Sequence, residues 1–227
     1  TYDAVGDLLV CEHVTSSVVR ERADGSTEVV ASQFRGRPLN SPNDVIVKSD
    51  GTIYFTDPTY GRTAEFGLKR RVELPFRGVY RVRPGDPEPD LLIDDFGQPN
   101  GLCFSPDESL LYVNDTTGAL IRVFEVRRDG ALAAEQTLLG RIGSGRAGDS
   151  NPDGMKCDEQ GNVYVTGPGG IWVISPRGQA LGVIEVPEKV GNLNWGGPDW
   201  RSLFICASAS IYRIELKVSG NRLAYMR

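Results

Sequence analysis

The chain of 227 residues has 40% hydrophobic residues and a formal net charge of −5, which allows a sizeable buried core. Its 25 Lys and Arg are dispersed among 30 Asp and Glu. No basic stripe suits a phosphate backbone, so nucleic acid is not expected as a partner. No apolar run approaches the roughly 20 residues that a membrane span requires, so no membrane association is expected either.

The cysteines and the histidine limit the kinds of metal and catalytic site that the chain can form. Each cysteine stands alone in an apolar stretch without metal-ligand spacing, which predicts free thiols in a reducing compartment. We therefore expect a cytoplasmic protein, or a periplasmic one if a leader has been removed. His13 is the single histidine, so a site built on several histidines is excluded. The four cysteines are Cys11, Cys103, Cys157 and Cys206.

A repeat organises the chain. Each copy is a turn with Asp and often Gly, followed by a short strand with an aromatic or aliphatic centre. In chain order the copies lie at 5–10, 50–55, 107–113, 159–165 and 199–205, and the first is degenerate. An aromatic residue recurs in the last four copies at intervals of 40 to 58 residues, as Tyr54, Tyr112, Tyr164 and Phe204. Periods of this size are typical of four-stranded propeller blades.

The segments around each copy predict the remaining strands. One strand precedes each copy and two follow it, joined by Gly, Pro and Asp turns, with no helical period. This predicts an all-β propeller of antiparallel blades. Four blades are predicted to be complete, whereas residues 1–31 supply three strands of another. We expect the missing inner strand and one blade to precede Thr1, so that residues 1–227 form a single, N-terminally incomplete propeller domain.

The innermost strands of three blades open with proline, then Asn or Asp, then Gly or Asp. Such residues are also ordinary turn formers. Their common register, however, directs the three polar side chains to one mouth of the predicted channel. Converging oxygen ligands without thiolate or imidazole favour a hard cation such as Ca²⁺, Mg²⁺ or Mn²⁺. The openings are Pro42-Asn43-Asp44-Val45, Pro99-Asn100-Gly101-Leu102 and Pro152-Asp153-Gly154-Met155, and Asn192 begins the corresponding strand of the last blade.

Antiparallel strands that start at one face return to it at the end of the second strand. More polar residues should therefore lie at this mouth, namely Glu12-His13, Asp57-Pro58 and Asn114-Asp115. The long connections 58–76 and 140–151 should rise from the same face, where long loops are usually functional. Loop 58–76 carries residues that suit either an anionic or polyhydroxylated ligand or plain solvent: Tyr60, Arg62, Lys69, Arg70 and Arg71.

Taken together, these motifs resemble the gluconolactonase, senescence-marker-protein and luciferin-regenerating-enzyme family, and most of all its bacterial gluconolactonase branch. Similarity extends along nearly the whole chain. The residues that carry it are Ser41-Pro42-Asn43-Asp44, Phe55-Thr56-Asp57-Pro58, Gln98-Pro99-Asn100-Gly101-Leu102, Phe104-Ser105-Pro106-Asp107 and Pro152-Asp153-Gly154-Met155.

The resemblance implies a six-bladed propeller with one divalent cation in its channel. By this resemblance Asn100 and Asp153 match the metal ligands, and Asp153 also matches the catalytic base. Asn43 matches the Asn that contacts substrate or cation-bound water. The family's remaining ligand is a Glu near the start of the first blade, which residues before Thr1 would carry. Ca²⁺ is the expected cation, with Zn²⁺, Mn²⁺ or Mg²⁺ as alternatives.

The predicted function is metal-dependent hydrolysis of a sugar lactone of the gluconolactone type to the aldonic acid. The cation would act as Lewis acid and Asp153 as general base. One alternative is a calcium-dependent propeller esterase or phosphotriesterase, and another is a binding propeller without turnover. The expected partner is a small-molecule lactone, and its predicted contacts are Asn43, His13, Asp57, Tyr60, Asp115 and Asn192.

Overall fold

The computed structural model describes residues 1–143, 151–223 and 226. Within these residues the chain consists of strands and turns, with a single-turn 3-10 helix at Tyr60–Arg62 and no α-helix. The chain divides into two compact units between Asn100 and Gly101.

The first unit holds a three-stranded sheet, a two-stranded hairpin and a four-stranded sheet. In chain order its strands are β1 (Leu8–Glu12), β2 (Ser17–Glu21), β3 (Thr27–Ala31), β4 (Gln33–Phe34), β5 (Arg37–Pro38), β6 (Val45–Val47), β7 (Ile53–Asp57), β8 (Gly78–Val82) and β9 (Asp90–Ile93). The sheets are β1-β2-β3, β4-β5 and β6-β7-β8-β9.

The second unit holds two four-stranded sheets and a three-stranded one, and its first strand begins at the last two residues of the first unit. Its strands are β10 (Pro99–Phe104), β11 (Leu110–Asp115), β12 (Leu120–Val126), β13 (Leu132–Leu139), β14 (Met155–Cys157), β15 (Val163–Gly167), β16 (Gly170–Ile174), β17 (Ala180–Glu185), β18 (Val190–Gly196), β19 (Ser202–Ala207) and β20 (Ile211–Glu215). The sheets are β10 to β13, β14 to β17 and β18 to β20, each in chain order.

Five of these sheets have the construction of propeller blades, because each strand pairs with the strand that follows it in sequence. The all-β propeller class predicted from the repeat is therefore confirmed. The four polar residues of the predicted ring lie in, or just before, the first strands of their sheets. Asn100 and Asn192 belong to first strands β10 and β18, while Asn43 and Asp153 each lie two residues before a first strand.

Apolar residues of the second strands form much of the core. Every residue of β7 and β15 is buried, and both strands are rich in aromatic and β-branched residues. In the first unit, Phe55 of β7 stacks on Tyr80 of β8, with ring centroids 5.2 Å apart. In the second unit, Tyr164 of β15 meets Trp195 of β18 edge to face at 4.8 Å. Such pairs add about 0.5–1.5 kcal/mol to the stabilisation from area burial alone.

The strand count departs from the prediction in two places, one prediction that was wrong and one element that was not predicted. The last sheet was expected to have four strands, but it has three within the described residues. The segment after β20 instead pairs with the turn that follows β14: Gly220 bridges Asp158, and the N–H of Asn221 donates to Cys157 O at 2.9 Å. The β4-β5 hairpin was not predicted, because four strand residues around a two-residue turn carry no readable period.

Glycine is needed where neighbouring sheets of the second unit approach each other. The N–H of Gly101 in β10 donates to Asp153 O at 3.1 Å, and the N–H of Gly154 donates to Gly191 O at 2.9 Å. A Cβ on Gly101 would lie 2.3 Å from Asp153 O, which is closer than real atoms allow. Glycine follows Asn or Asp in these motifs because it allows contact between neighbouring sheets. A turn, which glycine also commonly forms, is not the reason here.

All four cysteines are free thiols. Burial raises the pKa of Cys11 and of Cys157, so these two thiols are poor nucleophiles. Among the described residues, no helix has the length and apolar character needed to cross a bilayer.

We predict that Gly101→Ala destabilises the protein by about 1–3 kcal/mol, because the added methyl group forces the two backbones apart. Gly182→Ala in β17 is the matched control, since a Cβ there meets nothing within 4 Å. The control should change the free energy of unfolding by less than about 1 kcal/mol. Urea denaturation measures both, and equal stability of the two variants would contradict the close approach described above.

Candidate functional site

A buried carboxylate holds the segment before β6 in place. Asp57, at the end of β7, is fully buried; its two oxygens accept the backbone N–H groups of Asn40 at 2.8 Å and Ser41 at 2.7 Å. Burial raises the pKa of Asp57 to about 7, against the opposing effect of these two N–H groups and of Arg62. Asp57 was predicted to contact substrate, but this geometry assigns it to anchoring the backbone.

Thr56 fixes the two asparagines of the first unit relative to each other. Its buried hydroxyl accepts the N–H of Asp44 at 3.1 Å and donates to Asn100 O at 2.8 Å. The N–H of Asn43 donates to Thr56 O at 2.9 Å. One side chain thus connects the backbones on which Asn43 and Asn100 sit.

The side chains of three predicted site residues form a chain of contacts in the first unit. His13 Nε2 lies 3.3 Å from Asn43 Oδ1, and Asn43 Nδ2 lies 2.5 Å from Asn100 Oδ1. The other ring nitrogen, His13 Nδ1, lies 3.0 Å from Phe66 O. Asn100 is 5% exposed, whereas His13 and Asn43 are half-buried. The structure therefore brings together His13, Asn43 and Asn100, as register predicted for the two asparagines and strand direction for His13.

Loop 58–76 packs against this cluster, which confirms that it rises from the end of the sheet where Asn43 lies. Ser41 Oγ donates to Pro58 O at 2.7 Å and accepts the N–H of Gly61 at 3.0 Å. A Cβ on Gly61 would lie 2.6 Å from the Cβ of His13, so only glycine fits there. Tyr60 is half-buried and meets Phe66 edge to face at 6.0 Å.

Two arginines of this loop, Arg62 and Arg70, donate to residues before β6 and in the turn after β1. Arg62 is buried and donates to Asn40 O at 2.5 Å and to Leu39 O. Arg70 donates to His13 O at 2.8 Å and to Ser16 Oγ at 3.0 Å. These two side chains therefore fasten the loop, in place of the ligand-covering role considered for them.

In the second unit, hydrogen bonds on both sides hold the backbone of Asp153. Its N–H donates to Thr166 Oγ1 at 2.8 Å, and its carbonyl accepts Nδ2 of buried Asn114 at 2.6 Å as well as the N–H of Gly101. Asp153 itself is half-buried, and a Cβ on Gly191 would lie 3.9 Å from its Oδ2. The carboxylate therefore projects from a rigid backbone.

Two further predicted contacts of the second unit have local roles. Asp115 is 8% exposed, and its Oδ1 accepts the N–H groups of Thr117 at 2.9 Å and Gly118 at 3.1 Å, which closes the turn after β11. Asn192 is exposed, and its Oδ1 accepts the N–H of Leu193 at 2.8 Å. The second long connection predicted for this face, 140–151, lies largely outside the described residues.

Sequence reasoning missed the buried polar residues of the second strands, although a signal existed. Thr56, Asn114 and Thr166 each stand two positions after the aligned aromatic residue of their repeat. A polar residue at that offset in an otherwise apolar strand needs a partner, and each of the three bonds the start of a first strand.

The donors that could hold a cation are hard oxygen atoms. Among the described residues, no three His, Cys, Asp or Glu side chains come together as a metal site. The amide oxygen of Asn100 and the carboxylate of Asp153 are the kind of ligand that Ca²⁺ and Mg²⁺ accept, so the residues present fit such an ion in donor type.

Comparison with known proteins decides the family. The model of the SMP-30/Gluconolactonase/LRE-like region matches residues 1–209. The chain belongs to this family. The gluconolactonase of Zymomonas mobilis, a relative, is 34% identical over 226 residues, covering 95% of this chain and 62% of that protein. Lactonase drp35 of Staphylococcus aureus strain MW2 is 26% identical over 81% of this chain and 53% of its own.

Solved structures agree on the fold. A gluconolactonase from Xanthomonas campestris superposes with a TM-score of 0.83 at 34% identity, covering 94% of this chain and 70% of that one. A luciferin-regenerating enzyme gives a TM-score of 0.75 at 18% identity over 94% of this chain and 74% of its own, which shows a shared fold. The chain spans 49% to 62% of the length of the first three curated relatives it matches.

The raised pKa of Asp57 makes stability depend on pH. Because the folded-state pKa of about 7 exceeds the unfolded value near 4, the folded state holds an extra proton between these limits. The free energy of unfolding of the wild type should therefore fall as pH rises from about 4 to about 7, by at most roughly 4 kcal/mol. Asp57→Asn should flatten this fall. Both proteins should be measured by denaturation across this pH range. Parallel stability curves would show that Asp57 does not cause the pH dependence.

Proposed function

We propose that the protein to which this chain belongs hydrolyses a small lactone of the gluconolactone type, with Asp153 as general base. The observation that carries this proposal is the fixed backbone of Asp153, which is bonded to Thr166 on one side and to Asn114 and Gly101 on the other. A general base needs a defined position, and a carboxylate on an immobile backbone provides one. Membership of the gluconolactonase family supports the same reaction.

In this reaction water adds to the lactone carbonyl carbon, and the ring C–O bond then breaks. Asp153 takes the proton of the attacking water and returns it to the ring oxygen as that oxygen leaves, so the products are a carboxylic acid and an alcohol in one chain. Asn43, Tyr60 and Asn192 are the proposed substrate contacts. Asp57 and Asp115 hold the surrounding backbone instead.

Asn100 and Asp153 would hold the divalent cation, with Ca²⁺ first and Zn²⁺, Mn²⁺ or Mg²⁺ as alternatives. When bound, the cation would polarise the carbonyl oxygen as a Lewis acid. Two observations support this role: the oxygen donors suit a hard cation, and a structural neighbour from Agrobacterium tumefaciens at 20% identity is described as a calcium-binding regucalcin. A neutral amide ligand leaves net positive charge on the ion, which favours this chemistry.

Two broader features complete the proposal. The five blade-like sheets belong to a six-bladed propeller, the number that the family resemblance implies. The compartment is a reducing one, as four free thiols indicate, which favours the cytoplasm.

We expect Asp153→Asn to lower kcat for gluconolactone by at least about 10²-fold, since the amide cannot accept the proton. Asp24→Asn is the matched control, because Asp24 lies in an exposed turn and accepts the N–H of Ser26. The control should keep wild-type kcat, and both variants should keep the wild-type Tm. Near-normal turnover by Asp153→Asn would show that Asp153 is not the general base.

Wild-type turnover of gluconolactone, an aryl ester and a phosphotriester should be measured alongside. Preference for the ester or the phosphotriester would replace the lactonase assignment by the propeller esterase or phosphotriesterase. No turnover of any of the three would favour a binding propeller.

A further inference from the structure

The hydrogen atoms around His13 impose a constraint on the neighbouring asparagines. His13 Nδ1 lies 3.0 Å from Phe66 O, and a carbonyl oxygen only accepts, so Nδ1 carries a proton. His13 Nε2 lies 3.3 Å from one end of the Asn43 amide. If that end is the oxygen, Nε2 must also carry a proton and the ring must be a cation.

A singly protonated ring requires the opposite arrangement. With Nδ1 protonated, Nε2 is an acceptor, so the Asn43 amide must present its NH₂ group to it. The oxygen of Asn43 then faces Asn100 across the 2.5 Å contact, and the Asn100 amide must present its own NH₂ there. An amide keeps its shape when oxygen and nitrogen exchange places, so both contacts survive the exchange.

A singly protonated ring satisfies both of its hydrogen-bond contacts. The carbonyl oxygen of Phe66 requires the proton on Nδ1. The Asn43 amide can meet Nε2 with either of its two ends, so the contact there needs no second proton on the ring.

We propose that His13 is a positioning residue that sets the orientation of the Asn43 and Asn100 amides. Neutral His13, protonated on Nδ1, accepts an N–H from Asn43; Asn43 accepts an N–H from Asn100; and the amide oxygen of Asn100 is thereby turned away from Asn43. This role replaces the substrate contact predicted for His13. It rests on the proposed function in one respect, namely that the Asn100 oxygen is a cation ligand.

The same residue ties this amide pair to loop 58–76. Phe66 O receives the Nδ1 proton, Arg70 binds the carbonyl of His13, and Gly61 packs against its Cβ. His13 therefore has two separable functions, one toward the loop through Nδ1 and one toward Asn43 through Nε2.

Residues 1–227 contain a single histidine, so ¹⁵N NMR can read the state of its ring once its signals are identified by their loss in His13→Gln. At pH about 7.5 the wild-type ring should show a protonated Nδ1 and an unprotonated Nε2. A ring protonated on both nitrogens, or on Nε2 alone, would overturn the proposal.

Two substitutions separate the functions of the ring. In His13→Asn the amide nitrogen takes the place of Nδ1 and keeps the bond to Phe66 O, but nothing reaches Asn43. In His13→Gln the amide reaches the place of Nε2 and can accept from Asn43. Ca²⁺ titration of the apoprotein should show binding about three- to tenfold weaker in His13→Asn, the range expected for one neutral hydrogen bond. His13→Gln should stay within about twofold of wild type.

A weaker Ca²⁺ affinity in His13→Gln than in His13→Asn would mean that His13 acts through the loop. Equal affinities in the two variants would mean that the contact with Asn43 does not set cation binding. Either result contradicts the proposal. A second readout does not depend on cation binding. The side-chain NH₂ resonances of Asn43 should shift in His13→Asn and remain near their wild-type positions in His13→Gln. If the wild type binds no Ca²⁺, the proposed function fails, while the ring state and these amide resonances still decide the role of His13.

Discussion

The close approach of neighbouring sheets at the start of their first strands is the constraint on which the rest of the site depends. In the second unit, backbone N–H groups of Gly101 and Gly154 donate to the next sheet at 3.1 and 2.9 Å. Each bond exists because glycine has no Cβ, and each sets the register of one sheet against the next. Asp153, the proposed base, lies between these two hydrogen bonds, which restrict the movement of its backbone.

Buried polar side chains reinforce this approach from the second strands. Thr56 and Asn114 donate to backbone oxygens at the first strand of the following sheet, Asn100 O and Asp153 O respectively, and Thr166 accepts the N–H of Asp153. A buried hydroxyl or amide is costly without a partner, so these contacts are specific in position. The hydrogen bonds that stabilise the sheets therefore also position the site residues. A mutation that removes one of these hydrogen bonds should lower stability and displace the site residue that it holds.

The sequence predicted the blades, the starts of the first strands and the position of loop 58–76, because each has a periodic or a register signal. It did not predict that Asp57 and Asp115 bind backbone N–H groups. The sequence alone does not distinguish a strand-end carboxylate that faces a ligand from one that accepts backbone N–H groups of a nearby segment, as Asp57 and Asp115 do. The three-stranded last sheet escaped prediction for a related reason: the partner of the segment after β20 is Asp158, which is some 60 residues away in sequence.

The central proposal is that oxygen ligands, Asn100 and Asp153 among them, hold a divalent cation and that hydrolysis of a lactone requires this cation. The most direct measurement is turnover of gluconolactone by the full-length protein after the metal is removed with a chelator, and again after Ca²⁺, Zn²⁺, Mn²⁺ or Mg²⁺ is added back. We expect turnover to be lost on removal and restored by at least one of these ions, with Ca²⁺ first. Turnover that survives complete metal removal, or that no ion restores in protein that remains folded, would contradict the account.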